Sequence, residues 1–572
     1  MRTHATSLLV SSALLAPVLI AGPSLASTIP RGSEPAAESS FASGPGTGLP
    51  ALATPEIPDA LSRALGRGRI SEARYALERA RSLFDLAGVR ARFGRVASPD
   101  PRSATILFRD LALRVGWLSG PSRATADRLL ARPTDGGGDP FDDGYNVAEE
   151  TPECSADVCV HYVATTSDAP DTADDDTSGV PDYVESVSTV LDHVWAEEVD
   201  GLGYRAPKSD ASSTNDGGSE LLDVYLVDIG DTGIYGYCAS DDPHLDPPPY
   251  PHWDMSAFCV LDNDYDISQF GYADPMKPLK VTAAHEFFHA VQFAYDIGED
   301  GWLMESTATW MEEHVYDAIN DNRQYLVTSP LAQPLIPLDR TSGFRVYGAW
   351  IFWQFLTEYF GGATADANIV RAVWRRADGS ASGQNMYSTQ ALASAVAART
   401  VAGNPWRLRW AFADFGVWNA RPVKFYDEGS AYPTAPVAKT ATLTRAAPSM
   451  ASTARLDHLT NRFVVVRRGS GLPANAKLRV TVNGPVYGTG PEASVLVIKK
   501  SGDASYKIVN LNSAGDGSVT VVFDRTVSRI VVVTTNASAR YTNCYADITP
   551  FACFGGVPRD QNRTYAFKAK VV

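Results

Sequence analysis

The chain has 572 residues, 44% of them hydrophobic, with a mean hydropathy of −0.14 and a formal net charge of −16 at pH 7. That length exceeds one ordinary domain, and the composition is that of a folded globular protein rather than a disordered or membrane-embedded one. The acidic balance argues against nucleic acid or an anionic membrane as partner, since both draw Lys and Arg, while it suits a hard cation such as calcium.

Residues 1–26 read as an export signal. Arg2 and His4 make a short basic start, residues 8–20 are an apolar run, and Ser24-Leu25-Ala26 ends in a small-residue cleavage site. The run is shorter than the ~20 residues a membrane span needs, and no second run of that length follows. The expectation is a secreted, extracellular protein with no membrane span. Residues 27–56 are rich in Ala, Ser, Pro and Gly and read as a disordered lead-in. Over 57–135 the pattern turns helical: Ala73, Leu77, Ala80, Leu83, Phe84 and Ala87 recur at spacings of three and four. This stretch holds no cysteine and reads as a propeptide or a permanent N-terminal domain. It stops at the breaker segment 133–140, Pro-Thr-Asp-Gly-Gly-Gly-Asp-Pro.

The middle block, 145–430, mixes strands at 158–163, 221–228 and 257–261 with helices at 184–194, at 281–295 and from 302 onward, an α+β pattern. From 440 to 572 the chain changes character. Short β-branched runs at 463–466, 478–482, 495–498, 519–523 and 530–533 are separated by Gly, Asn and Ser turns, which predicts a β-sandwich. Six cysteines fall as three close pairs, Cys154/Cys159, Cys238/Cys259 and Cys544/Cys553. None has the C-x-x-C spacing of a zinc knuckle, so they read as three local disulfides of an oxidising compartment.

The chemistry concentrates in 281–295. Val281, Ala284, Phe288, Val291 and Tyr295 give a helix one buried face. His285 and His289 lie four residues apart, so their imidazoles leave the same side and can share one metal. Glu286, one position on, stands beside such a metal and can take a proton from activated water. A catalytic zinc needs a third protein ligand, and Glu305 in Trp302-Leu303-Met304-Glu305-Ser306-Thr307-Ala308 is the leading candidate. Asp296 is a minor rival, and Glu312 is placed to orient a ligand or substrate.

H-E-x-x-H followed by W-L-x-E-x-x-A resembles the gluzincin metallopeptidases, a clan that includes hyicolysin-type secreted proteases and zinc aminopeptidases. The resemblance covers about residues 150–420 and implies a zincin-like domain. It implies His285, His289 and Glu305 as zinc ligands and Glu286 as the general base that activates water for peptide hydrolysis. It also implies a tyrosine or histidine beyond the third ligand that steadies the oxyanion; Tyr347 is the candidate, with Tyr316 behind it. This chain departs from the pattern in two ways. Glu305 follows His289 by 16 positions, a short connection, and the aminopeptidase motif G-x-M-E-N is absent, with Met304 where those enzymes carry Asn. An endopeptidase is therefore favoured. A metzincin is not, because its Gly and third His would fall at Gln292 and Tyr295.

A second metal signal begins at Asp174. Asp174, Asp176, Ser178, the Val180 carbonyl, Asp182 and Glu185 follow EF-hand spacing for calcium, with Gly179 at the turn position. Pro181 occupies the usual apolar position, against pairing with a second loop. Asp262, Asp264 and Asp266 form a weaker acidic series. The expected protein is thus a secreted zinc endopeptidase, calcium-stabilised, acting as a monomer on protein or peptide substrates. The alternative is a secreted binding protein or adhesin on a catalytically silent scaffold, against which the presence of Glu286 speaks.

Overall fold

A computed structural model describes residues 49, 52–55, 57–136, 144–245, 250–361, 368–401, 403–542 and 551–572. The expected export signal, most of the lead-in, residues 137–140 of the breaker and Cys544 lie outside them.

The N-terminal helical stretch folds into α1 (Ala60–Gly66), α2 (Glu72–Arg81), α3 (Leu86–Phe93), α4 (Ala104–Ala112) and α5 (Gly120–Leu129). Asp59, Ser71 and Asp85 cap the first three, each side chain accepting a backbone N–H that the helix leaves unpaired. Ala73, Leu77 and Ala80 line the buried face of α2, as their spacing predicts. In α4 all nine residues are buried. One side packs on α2 and the other on the strand Gly236–Ala239 of the next region, where Phe108 meets Tyr237 at a centroid distance of 4.6 Å. The helical block and the middle block therefore share one core.

The middle block begins with β1 (Glu153–Cys154), β2 (Val158–His161), α6 (Asp182–Trp195), β3 (Leu222–Val227), β4 (Gly236–Ala239) and β5 (Phe258–Asp262). The sheet order is β1-β2-β3-β5-β4, with β2, β3 and β5 parallel and the outer strands antiparallel. Strands β2 to β5 are buried throughout, because helices cover the sheet. The edge strand β4, which the sequence reading missed, is held to β5 by the Cys238–Cys259 disulfide. The Cys154–Cys159 disulfide closes the β1–β2 hairpin. Cys553 is also disulfide-bonded.

Helices follow: α7 (Ile267–Phe270), α8 (Met276–Asp296), α9 (Gly301–Val315), α10 (Arg345–Gly348), α11 (Trp350–Phe360), α12 (Ile369–Ala377) and α13 (Ser388–Ala397). After a small hairpin of β6 (Thr400–Val401) and β7 (Asn404–Pro405) come α14 (Leu408–Asn419) and α15 (Pro422–Phe425). The apolar helix expected from 347 is two pieces. Tyr347 belongs to the short α10, and Gly348 packs so closely on the Tyr325 carbonyl and Ser329 that a Cβ would lie 2.7 Å from that oxygen. Among the described residues no helix is long and apolar enough to cross a membrane.

The C-terminal region is β-rich, as expected. Its strands are β8 (Val437–Leu443), β9 (Ser449–Leu456), β10 (Thr460–Arg468), β11 (Lys477–Asn483), β12 (Pro491–Lys499), β13 (Ala504–Ile508), β14 (Asp516–Val522) and β15 (Val527–Asn536), then β16 (Tyr541–Thr542), β17 (Val557–Pro558) and β18 (Arg563–Val571), with the short α16 (Ala552–Gly555) before β17. Two sheets, β13-β12-β15-β10-β8 and β14-β11-β18-β9, enclose a core of Val464, Val480, Val495, Ile530 and Phe567. The outer face of the first sheet, through Phe463, Val465 and Val531, packs on Val417 of α14. Strands buried on both faces read as unbroken apolar runs and were legible. The polar strands β8 and β9 and the alternating β18 were not.

Candidate metal centre and cleft

Helix α8 is buried along nearly its whole length, packed on β4, β5, α6 and α9. One turn apart on it, the rings of His285 and His289 sit 4.8 Å centroid to centroid. Four residues, 297–300, turn the chain into α9 and bring Glu305 opposite them. Glu305 Oε2 lies 3.4 Å from His285 Nε2 and 3.9 Å from His289 Nε2. These three residues form a group whose ligand atoms all lie within 4.8 Å of one another. His289 Nε2 and both Glu305 oxygens are buried without a hydrogen-bond partner among the described residues. Orphaned buried acceptors are costly, so two imidazole nitrogens and a carboxylate facing one point fit a divalent metal.

The far side of each imidazole is fixed. His285 Nδ1 lies 2.6 Å from Glu312 Oε1, and His289 Nδ1 lies 2.7 Å from Gln292 Oε1. Gln292 is itself oriented, its amide donating to the Met304 carbonyl and Thr307 Oγ1. In the neutral tautomer that donates through Nδ1–H, each Nε2 lone pair faces Glu305. Burial pulls the His289 pKa well below the usual range, and the neighbouring His285 adds to it. Burial also opposes charge on His285, but Glu305 and Glu312 outweigh it and raise its pKa well above the ordinary value. The expected orienting role of Glu312 is thus placed on His285. Gln292 was not foreseen as its counterpart on His289.

Glu286 projects from the same helix into the cleft. Burial pushes its pKa up to about 7, against the pull of His285 and of the Thr105 hydroxyl. Thr105 comes from α4: its Oγ1 donates to Glu286 Oε2 at 2.8 Å and accepts from the Cys238 N–H at 2.9 Å. That N–H belongs to edge strand β4. A single hydroxyl therefore bridges the candidate base and the edge strand of the sheet. Beside it, Ser103 Oγ is 3.2 Å from the buried Tyr347 hydroxyl, and the Tyr347 ring lies 6.2 Å from that of His285. Tyr316 packs instead near His193 and Lys280.

Segment 98–107 lies between two cavities. One, of about 40 Å³, is lined by Arg102, Tyr235, His285, Glu286 and Tyr347. The other, of about 430 Å³, reaches Glu305 and is lined by Pro101, Ser103, Ile106 and Phe344. Arg109 of α4 also supports α8 and α9, donating to the Glu299 carbonyl at 2.5 Å within the turn between them. Thr105, Ser103 and Arg109 carry no motif, and nothing in the sequence marked them.

The remaining candidates are placed differently. Asp174, Asp176 and Asp182 converge within 4.8 Å, and Gly179 takes φ 95° at the turn. Asp174 accepts from the backbone N–H of Ser178 and Gly179, Asp176 from Ser178, and Asp182 from Asp175. Ser178 Oγ donates to the Val180 carbonyl, and Glu185 stands in the first turn of α6, outside the group. Asp262, Asp264 and Asp266 are engaged by backbone N–H groups: Asp262 accepts from Gly230, Asp264 and Tyr265, Asp264 from Asp266, and Asp266 caps α7. These three form no converging group, which corrects the idea of a cation site there. Asp296, buried, accepts from Gly298 N–H at 2.7 Å and is not in the histidine group either. One converging group went unforeseen, Glu313, Asp317 and Glu428, where Glu428 already pairs with Arg323.

No family model and no curated protein matches the chain. Among solved structures it is similar to the pre-peptidase C-terminal domain of a collagenase from Bacillus anthracis, at 11% identity and a TM-score of 0.15, over 24% of this chain and 100% of that one. It is also similar to a family GH115 4-O-methyl-α-glucuronidase with specificity for decorated arabinogalactans, at 9% identity and a TM-score of 0.13, over 55% of this chain and 45% of that one. Likenesses this slight carry no argument, and the reading of the site rests on its own geometry.

Proposed function

We propose that this protein is a secreted zinc-dependent endopeptidase of zincin-like fold, held latent by its own helical block. The observation that carries the reading is the buried meeting of His285, His289 and Glu305 with Glu286 beside them. When bound, zinc supplies Lewis acidity that polarises a peptide carbonyl and acidifies water. Glu312 and Gln292 hold the two imidazoles in the ligating tautomer. Glu286 takes a proton from water at its carboxylate and passes it to the departing amine, which its raised pKa suits. The Tyr347 hydroxyl donates to the carbonyl oxygen as charge grows there. Both roles require Thr105 and Ser103 to withdraw, so the block acts as a propeptide. The disulfides agree with an extracellular site of action, and calcium at Asp174, Asp176 and Asp182 is proposed as a stabilising ion.

The covered cleft is also what favours a second reading, a secreted binding protein on a silent scaffold. Casein turnover by the zinc-loaded mature protein, freed of the helical block, wild type against Glu286→Gln, separates the two. The first reading expects one zinc per chain in both and turnover lowered about 100- to 10,000-fold in the variant. Stoichiometric zinc with no turnover by either would favour the binding protein.

A further inference from the structure

Resting on the endopeptidase reading, we propose that the cleft selects peptides by a cationic side chain, Arg or Lys, held in a cage of Tyr235, Tyr325 and Phe344 beside the scissile bond. In the latent chain Arg102 of the helical block occupies that cage.

The arginines of the block divide into two kinds. Arg74, Arg79 and Arg92 pair with Glu78 and Asp59, carboxylates of the block itself, and so hold its helices together. Arg102 reaches across the interface. Its guanidinium carbon lies 5.0 Å from the Tyr235 ring centroid, 5.4 Å from Tyr325 and 5.7 Å from Phe344. Its Nη2 donates to the Tyr235 hydroxyl at 3.3 Å and to Gln324 Oε1 at 3.2 Å. Gln324 is held carbonyl-forward because its Nε2 donates to Asp321 Oδ2 at 2.7 Å. Three aromatic faces around one cation, with an oriented amide oxygen at its tip, are a recognition geometry for positive charge.

The walls agree in sign. Asp321 and Glu312 line the cavity that Arg102 enters, and the same cavity is bounded by His285 and Glu286. An anionic side chain placed there would be repelled by Asp321 and Glu312. The position is also tied to the reacting centre. Arg102 precedes by three residues the Thr105 hydroxyl that sits between Glu286 and the Cys238 N–H. With Arg102 in place only about 40 Å³ remains on this side of the cleft, against about 430 Å³ on the other.

The test uses the full-length, zinc-loaded chain with agmatine, a small guanidinium compound, as the probe in calorimetry. Arg102→Ala empties the cage and should bind one agmatine about tenfold more tightly than wild type, a gain that Asp321→Asn in the same chain removes. The zinc-loaded chain cleaved between the helical block and the middle block, and freed of the block, should also cut a mixed peptide library with Arg or Lys enriched at one fixed position next to the broken bond. If Arg102→Ala keeps the wild-type circular dichroism yet binds agmatine no better, the proposal is overturned. Cleavage without enrichment of Arg or Lys overturns it equally, while leaving the endopeptidase reading intact. Agmatine binding with no cleavage supports the cage and counts against the endopeptidase reading. Arg102→Met, which keeps the aliphatic stem, takes the place of Arg102→Ala if the latter fails to fold.

Discussion

The metal-type residues between α8 and α9 and those of the 174–185 loop differ in one decisive respect. His289 and Glu305 are 0% and 1% exposed, and their metal-facing atoms have no hydrogen-bond partner among the described residues. Asp174, Asp176 and Asp182 are half-buried or exposed, and each already accepts backbone N–H groups of its own loop. Burial without partners costs free energy that a bound ion offsets; exposed, self-satisfied carboxylates carry no such debt. Convergence of acids therefore says little until their desolvation is weighed. The contrast predicts that the first centre couples metal to folding and that the second does so weakly.

The largest effect expected from this contrast is that of metal removal. If the centre holds zinc as proposed, stripping it with a chelator should abolish turnover by the mature chain and lower stability by about 4 kcal/mol relative to zinc held at a thousandfold excess over Kd. Scanning calorimetry at fixed free zinc checks this, and an unchanged Tm would break the comparison at its stronger end.

A buried ion pair whose facing atoms are matched to each other provides an intermediate case. His458 Nε2 lies 2.8 Å from Asp339 Oδ1, both buried, joining the β-rich region to the middle block. Asp339 also accepts from the Tyr541 hydroxyl and the Ala552 N–H. Burial opposes charge on His458, but Asp339 outweighs it and raises the His458 pKa. Burial opposes ionisation of Asp339 as well, yet His458 and its hydrogen bonds hold its pKa down. The histidine's contribution is complete below its unfolded value of about 6.5 and is lost as pH rises through the raised folded value. The carboxylate's contribution is complete above about 3.9 and is lost as pH falls through the depressed one. Stability from this pair should thus be greatest between those limits. Asp339→Asn should cost about 3 kcal/mol at pH 5.5 and flatten the decline above pH 6.5, read from urea titrations at several pH values.

The smallest effect is expected at the loop. Without calcium, Asp176→Asn should change stability by less than about 1 kcal/mol, since its carboxylate is solvated. With calcium added, wild type should gain Tm and the variant should gain less. A variant that unfolds without calcium present would show the loop to be structurally indispensable and erase the distinction drawn here.

Legibility followed the range of the interaction. The spacing of His285 and His289 is local, and any helix over those residues brings them to one face. Glu305 could be named because it lies on the next helix, across a short turn. The Tyr347 ring lies 6.2 Å from that of His285, on α10 rather than on the long apolar helix the sequence suggested. The strand runs at 463–466 and 530–533 were readable because both their faces are buried. The edge strand β4, only four residues long, gave no pattern of its own.

Its sequence alone determined that this protein carries a helix with two histidines and a glutamate in metal-centre spacing, a helical block before it and a β-rich region after it. These follow from periodicity and turn residues, which act over a few positions of chain. Only the tertiary structure decided that Gln292 and Glu312 orient the imidazoles, that Thr105 bridges Glu286 and the edge of the sheet, and that Arg102 lies in an aromatic cage. Thr105 and Glu286 are 181 residues apart, and Arg102 and Tyr235 are 133 apart. Such contacts arise when separately formed elements pack into one core, and no local pattern of side chains encodes which distant surface each will meet.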